Sequence, residues 1–408
     1  MNRKIINQKE QLKNIQTQFH TLLKQNSIDQ SPAIKEFENI LFSNNLDLKS
    51  LKGQYANLSE NEQSIINKIF FEISTGKNIS QLTKHYSEST EKTTLNPVKV
   101  VVLNLNPSLE IHLSSDDFQL VNTVSNGKGG IIATAFATSG LQPSLLCGFY
   151  AGQTGHLAEA ILQSIGISNI LSIDPENEGE TRTGILWQGF DYPSTGLICK
   201  SGTVDQNTGS KLLDELDQKI QEEIDSLQTD EYLPIIIAGS LPPGLPQDFM
   251  SQLITRLETN SKVRVLLDAS RHYLTEGLKG KPYMVKINID EANALATSNS
   301  QEKLDLNQSD EIIKARFKDL FPDIKHVVIT QGGQETVYLD LGTDSIHRIQ
   351  PSNITVVDVD GAGDTMDASL AMDLTHGDNH LAAVQRAVEV GTDSASKEAG
   401  VFGNLQIQ

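Results

Sequence analysis

The sequence predicts an α/β fold with a mostly parallel sheet, preceded by a helical extension. Three observations carry this reading. Residues 98–103, 235–238, 263–267 and 326–329 are nearly continuous apolar runs, as expected of strands buried on both faces. Each is followed by a turn rich in Gly, Pro, Asp or Ser and then by a stretch with helical periodicity, the alternation that builds a parallel sheet. The charge also changes character along the chain. Residues 1–95 hold 12 Lys and Arg against 10 Asp and Glu, whereas the whole chain of 408 residues carries a net charge of −19. Residues 1–95 and 96–408 are therefore expected to be two separate regions.

In the first region Ile5, Leu12, Ile15, Phe19 and Leu22 recur at spacings that place them on one helical stripe. Ser31 and Pro32 suit an N-cap and first turn, continued by Ile34, Phe37, Ile40 and Leu41. Ser59 and Glu62 make a capping-box pattern ahead of Ile65, Ile66, Ile69, Phe70 and Ile73, with Gly76 as the stop. Three or four helices follow, packed on the main domain or paired with another copy. No chemistry is visible in them, and their partner is unspecified. The polar stretch 87–96 reads as a linker.

Composition narrows the class of function. No segment approaches 18 uninterrupted apolar residues, so no membrane span is expected. The opening residues lack the apolar core of a secretory signal, and the expected location is the cytoplasm. Cys147 and Cys199 are too few for a disulfide framework and read as reduced thiols. The strong negative charge should repel nucleic acid and anionic membranes.

The chemistry concentrates near the end of the chain. The apolar run 354–357 leads into Gly361-Ala362-Gly363-Asp364-Thr365, and residues 366–374 read as a helix. Small residues at a strand-to-helix turn let the backbone approach a ligand. The first N–H groups of the helix have no internal partners and sit at the positive end of its dipole, a cradle for an anion. A carboxylate beside it, Asp364, could accept a proton from an attacking hydroxyl. Phosphoryl transfer to an alcohol is the chemistry this suits.

In such sheets ligands bind beyond the carboxyl ends of the strands. The motifs there, in order, are 103–110 (with Asn106-Pro107 and Glu110), Asn126-Gly127-Lys128-Gly129-Gly130, Thr181-Arg182, and Gly239-Ser240-Leu241-Pro242-Pro243-Gly244. Asp268-Ala269-Ser270-Arg271, Lys286-Ile287-Asn288-Ile289-Asp290-Glu291 and Thr330-Gln331-Gly332-Gly333 follow, and GAGD ends the series. In this order the chain resembles the PfkB, ribokinase-like carbohydrate kinase family over residues 98 to about 403. Within it the resemblance is to the phosphosugar branch of 1-phosphofructokinases and tagatose-6-phosphate kinases.

The resemblance implies a three-layer sandwich with a small β lid near residues 108–125 and 183–200, often a dimer clasp, so a homodimer through the lid is expected. It implies that Asp364 is the catalytic base and that Gly361, Ala362 and Gly363 form the anion hole. Lys286, Asn288, Glu291, Thr330, Gly332 and Gly333 fall at ATP-binding positions, with Mg²⁺ placed indirectly through Asn288 and Glu291. Glu110, Gly127, Lys128, Gly129, Arg182 and Arg271 fall on the substrate side, where fixed cations suit a sugar phosphate.

Several residues depart from the pattern. Glu110 stands where the family usually has Asp, and Ile131 and Gly184 stand where it usually has Asn. Asp360 adds a carboxylate next to the anion hole, which should repel phosphate unless it points away or is paired. The expected activity is ATP-dependent phosphorylation of a hexose phosphate such as fructose 1-phosphate, fructose 6-phosphate or tagatose 6-phosphate. Two alternatives stay open: a catalytically weakened relative that binds ligand for regulation or scaffolding, and a kinase of unphosphorylated sugars or nucleosides.

Overall fold

The computed structural model describes residues 2–42, 48–88, 94–114, 120–174, 179–188, 196–377, 379–397 and 402–405. Residues 89–93, half of the expected linker at 87–96, lie outside them. The chain opens with five helices, α1 (Asn2–Gln25), α2 (Pro32–Leu41), α3 (Leu48–Ala56), α4 (Glu60–Thr75) and α5 (Ile79–Ser87). The fifth exceeds the sequence expectation. Its signal was Asn78 with Gln81, a second capping box like that of Ser59 and Glu62. Ser31 does not cap α2 with its side chain; its hydroxyl donates instead to Glu62 Oε1 at 2.6 Å, tying α2 to the start of α4. Phe19 packs against Phe37, Phe42 and Phe70 with ring centroids 5.4–6.5 Å apart.

The α/β part begins with β1 (Asn96–Asn104), β2 (Ser108–Ser114), β3 (Leu120–Asn126), α6 (Lys128–Thr138), β4 (Leu141–Gly148), α7 (Gly152–Ser164) and β5 (Ile170–Ser172). It continues through β6 (Arg182–Gln188), β7 (Gly196–Ile198), α8 (Gln206–Asp225), β8 (Leu233–Ala238), α9 (Phe249–Glu258), β9 (Val263–Asp268) and α10 (Arg271–Lys279). The last elements are β10 (Met284–Asn288), α11 (Ile289–Ser298), α12 (Asp310–Leu320), β11 (His326–Thr330), β12 (Thr336–Asp340), β13 (Ser345–Ile349), α13 (Ala362–Leu374) and α14 (His380–Ala395).

The main sheet runs β13-β12-β11-β10-β9-β8-β1-β4-β5. It is parallel from β5 to β11, and β12 and β13 add an antiparallel edge. Alternation along β1 shows the three layers. Val100 and Val102 join the core that includes α6, α13 and α14, whereas Val101 and Leu103 join the one that includes α8 and α9. The parallel strands therefore end together, and their carboxyl ends carry Asn104, Asp268, Asn288 and Thr330. One expectation fails. The apolar run before Gly361 is not a strand, and Ile354, Val356, Val357 and Val359 are exposed. β13 already closes the sheet, and the backbone N–H of Val357 bonds to the carbonyl of Ala395 beyond it.

The lid is a separate sheet in the order β3-β2-β6-β7, with β2 and β6 parallel. Its two faces differ. Leu109, Ile111, Leu113, Ile185 and Leu197 are at most 1% exposed and share one core with Phe19, Ile66, Ile69 and Phe70 of the N-terminal helices. α4 packs on β6, α3 on β7, and α7 on β2 and β3. The other face carries Glu110 and His112 of β2 beside Arg182 and Gly184 of β6. Removal of residues 1–88 should uncover the apolar face and cost the lid its packing. The truncated protein is expected to bind the dye ANS strongly and to melt well below the intact chain. A truncated form with unchanged melting temperature and no dye binding would contradict this packing.

Candidate active site

Three elements converge where the strands end. Gly361 has φ of 78°, a left-handed conformation that spares a glycine the strain of a side chain. A Cβ there would also lie 2.5 Å from Phe402 and 3.1 Å from Ile131, so this turn has no room for one. Ile131 thus packs as an apolar neighbour against this turn. Ala362 N–H closes a turn onto the carbonyl of Val359 at 3.2 Å. Its part in the expected anion hole is therefore taken up internally. The amides of Gly363 and Asp364, at the start of α13, have no such acceptor among the described residues.

Asp364 is 8% exposed, and its Oδ1 has no hydrogen-bond partner among the described residues. Burial raises its pKa to about 6, a rise moderated by the nearby ammonium groups of Lys128 and Lys286 and reinforced by Asp268 and Asp360. Oxygens of Asp268, Asp364 and Asp367 lie within 4.8 Å of one another. They are not an open metal cage, because an ammonium already sits among them. Lys286 Nζ donates to Asp268 Oδ2 at 2.7 Å, to Asp367 Oδ2 at 2.9 Å and to the carbonyl of Gly363 at 2.8 Å.

An ammonium has three donors, so none remains for a nucleotide. Lys286, expected at an ATP-binding position, is here a buried cation that joins β9, β10 and the start of α13. Lys128 is the accessible cation. Its Nζ lies 2.5 Å from Asp268 Oδ1 and 3.9 Å from Glu291 Oε1, and its side chain is 32% exposed. Burial would lower the pKa values of both lysines, but the surrounding carboxylates outweigh it and hold them raised. The same lysines overcome burial at Asp268 and hold its pKa well below the usual range. At Asp367 and Glu291 burial wins and the pKa is raised.

Two lysines thus face four carboxylates. The cluster carries excess negative charge, which protons or a bound cation would offset.

Asn288 and Glu291 form a capping box at the start of α11, with Glu291 Oε2 accepting from the Asn288 N–H at 3.0 Å. The other oxygen of Glu291 faces Lys128. Thr330 ends β11 beside Asn288, and Gly332 and Gly333 follow on an exposed turn where an added Cβ would meet nothing within 4 Å. This turn leaves room for a ligand. Gly127 and Gly129 owe their identity to packing: an added Cβ would meet Asn104 at 2.8 and 2.5 Å respectively. Arg271 is exposed at the start of α10, with left-handed φ of 55°, and lies outside the lysine cluster.

On the lid two departures prove to be one. A Cβ at Gly184 would lie 2.8 Å from Cγ of Glu110. The longer acid therefore fills the volume that a side chain at 184 would occupy. Glu110 Oε1 accepts from Ser108 Oγ at 2.7 Å, and its charge reaches Arg182, whose Nε is buried with no partner among the described residues. Burial lowers the Arg182 pKa despite that neighbouring carboxylate. His112 lies on the same face, its pKa lowered by burial against the pull of Glu110, Asp360 and Asp358. Asp360 itself is exposed. Asp268, Asp367 and His112 escaped the sequence reading as site residues. Asp268 at the end of a buried strand and Asp367 one helical turn after Asp364 were the available signals.

A buried carboxylate at a glycine-lined helix start, at the carboxyl ends of a parallel sheet and under a β lid, defines a phosphotransferase of the carbohydrate kinase class. Residues 192–405 match the model of the "pfkB family carbohydrate kinase", and the chain belongs to that family. The fold is similar to phosphofructokinase-2 from Escherichia coli, solved with substrates and products. That likeness has a TM-score of 0.61 and 19% identity, over 75% of this chain and 96% of that one. It is similar to a possible 1-phosphofructokinase from Thermotoga maritima (TM-score 0.59, 21% identity, 74% and 93% covered). A ribokinase from the same organism matches at 0.55 and 14% identity, over 75% and 97%.

The Glu110–Gly184 pairing makes a testable claim. Gly184→Ala should destabilise the protein by about 1–3 kcal/mol through overpacking, and by clearly less in a Glu110→Asp background. Urea unfolding of the four proteins measures the coupling. Additive effects would mean that the two side chains do not share this space.

Proposed function

We propose that this protein transfers the γ-phosphoryl group of ATP to a hydroxyl of a phosphorylated hexose. The observation that carries the reading is the buried, unpartnered Asp364 Oδ1 at the amino end of α13, held among ammonium groups. In this reading the catalytic unit is residues 96–408, and 1–95 is an extension that covers the lid. ATP lies across the strand ends, near Thr330, Gly332 and Gly333. The acceptor sits under the lid, its phosphate toward Arg182 and Lys128.

Asp364 accepts the proton of the acceptor hydroxyl as the oxygen attacks phosphorus in line and the bond to the bridging oxygen of ADP breaks. The free amides at the start of α13 stabilise the charge on the transferring group. Lys128 is near enough to Asp364 to favour its ionised form before attack. Lys286 does not touch the phosphates; it fixes the Gly363 carbonyl and so the direction of the amides that follow.

Mg²⁺, when bound, neutralises charge on the ATP phosphates. Glu291 keeps one oxygen off its capping bond, and with Asn288 it suits indirect placement of that ion. A homodimer would use a surface other than the apolar face of the lid, since the chain's own helices cover it.

A screen of fructose 1-phosphate, fructose 6-phosphate and tagatose 6-phosphate beside free sugars and nucleosides tests the acceptor class. Turnover is expected on a phosphorylated hexose; turnover on free sugars or nucleosides alone would refute it. Asp364→Ala should lower kcat by about 10²- to 10⁴-fold with the KM for ATP nearly unchanged, and an unaltered kcat would exclude Asp364 as the base. A base must be ionised, and the Asp364 pKa is raised to about 6. In the free enzyme, kcat/KM should therefore fall as pH drops through about 6. A rate that stays flat down to pH 5 would contradict this assignment.

A further inference from the structure

Arg182 stands in a segment whose other residues are all tied down. The Thr181 N–H donates to the carbonyl of Ala151, and its hydroxyl oxygen accepts from the Ala151 N–H, both at 2.8 Å. The carbonyl of Thr181 accepts from the hydroxyl of Thr154 at 2.8 Å. Glu180 accepts from the Thr154 N–H at 2.8 Å and from Lys68 Nζ at 2.7 Å. The Thr183 N–H donates to Cys199 Sγ at 2.9 Å. The remaining restraint comes from the N-terminal helices. Asn67 of α4 donates from Nδ2 to both the carbonyl and the hydroxyl of Thr183, at 3.0 and 2.9 Å.

Asn67 is fully buried. Its Oδ1 accepts from the Tyr55 hydroxyl of α3 at 2.9 Å, so the direction of its amide is set by a second helix. A buried amide with this many bonds specifies one geometry. Asn67 and Lys68 together hold the strand on either side of Arg182, at Thr183 and Glu180. Strand alternation then sends Arg182 to the opposite face, beside Glu110 and within electrostatic reach of Tyr273 of α10. The guanidinium Nε waits there, buried and without a partner among the described residues.

We infer that Asn67 is a positioning residue: through Thr183 it aims Arg182 at the anionic group of the acceptor. The N-terminal helices are then part of the substrate site, although none of their side chains touches substrate. The inference rests on the proposed role of Arg182 in holding the acceptor phosphate. Positional errors of this kind act on affinity for the group being held.

The test compares Asn67→Ala, Arg182→Met and the double variant in the full chain. Calorimetric titration with fructose 6-phosphate and fructose 1-phosphate gives the acceptor Kd, and a second titration gives the Kd for ATP. Asn67→Ala is expected to weaken binding of the phosphorylated probe about tenfold, with ATP binding within twofold. In the Arg182→Met background the same change should have no further effect.

Equal weakening in both backgrounds, or of both ligands alike, would overturn the inference as mere structural damage. If Arg182→Met alone leaves probe binding intact, or the native protein binds neither probe, the acceptor reading itself fails and this inference with it. Should Asn67→Ala not fold, Asn67→Asp keeps the size and removes the donors, and the same outcomes apply.

Discussion

One buried ammonium holds the site together. Lys286 comes from the middle of β10, Asp268 from the end of β9, and Asp367 and the Gly363 carbonyl from the first turns of α13. Two strands and a helix are thus joined at one nitrogen atom. A buried ion pair is favourable only when geometry and hydrogen bonding are nearly complete, and here every donor is used. The arrangement explains why α13 starts where it does. It also explains why Asp364, one residue after Gly363, is buried yet remains within reach of Lys128.

The second constraint is the lid. Its inner face bears the groups suited to a polar acceptor, and its outer face is apolar and needs cover. The N-terminal helices supply that cover, and the buried Asn67 among them reaches the strand that carries Arg182. Stability and recognition therefore meet on β6. Its inward and outward residues serve different partners because a strand alternates its side chains.

Much of this was legible in the residues themselves. The apolar strands β1, β8, β9 and β11 stood out because burial on both faces leaves no polar alternation. The helix after Gly361 was also legible, since small residues and a carboxylate ahead of a helical stretch mark a helix start. The rest depended on pairings across the chain. Nothing near Lys286 in sequence says that Asp367, far along the chain, takes its charge. Glu110 and Gly184 read as two separate departures until the structure puts one in the space of the other. Ser31 looked like a cap because its local pattern was right, yet Glu62 offered a stronger acceptor. The exposed valines before Gly361 read as a strand because β-branched composition reports propensity, whereas pairing needs a free edge.

Charge balance ties these points together. The lysines and carboxylates of the cluster are each shifted by burial and by one another, so the site is a coupled unit. The unfolding free energy of Lys286→Met in urea at pH 7 tests the central claim most directly. Loss of the ammonium leaves Asp367 buried without its cation and Asp268 with Lys128 alone, and a destabilisation of about 3–5 kcal/mol is predicted. A loss below about 1 kcal/mol, a value typical of exposed ion pairs, would contradict the account.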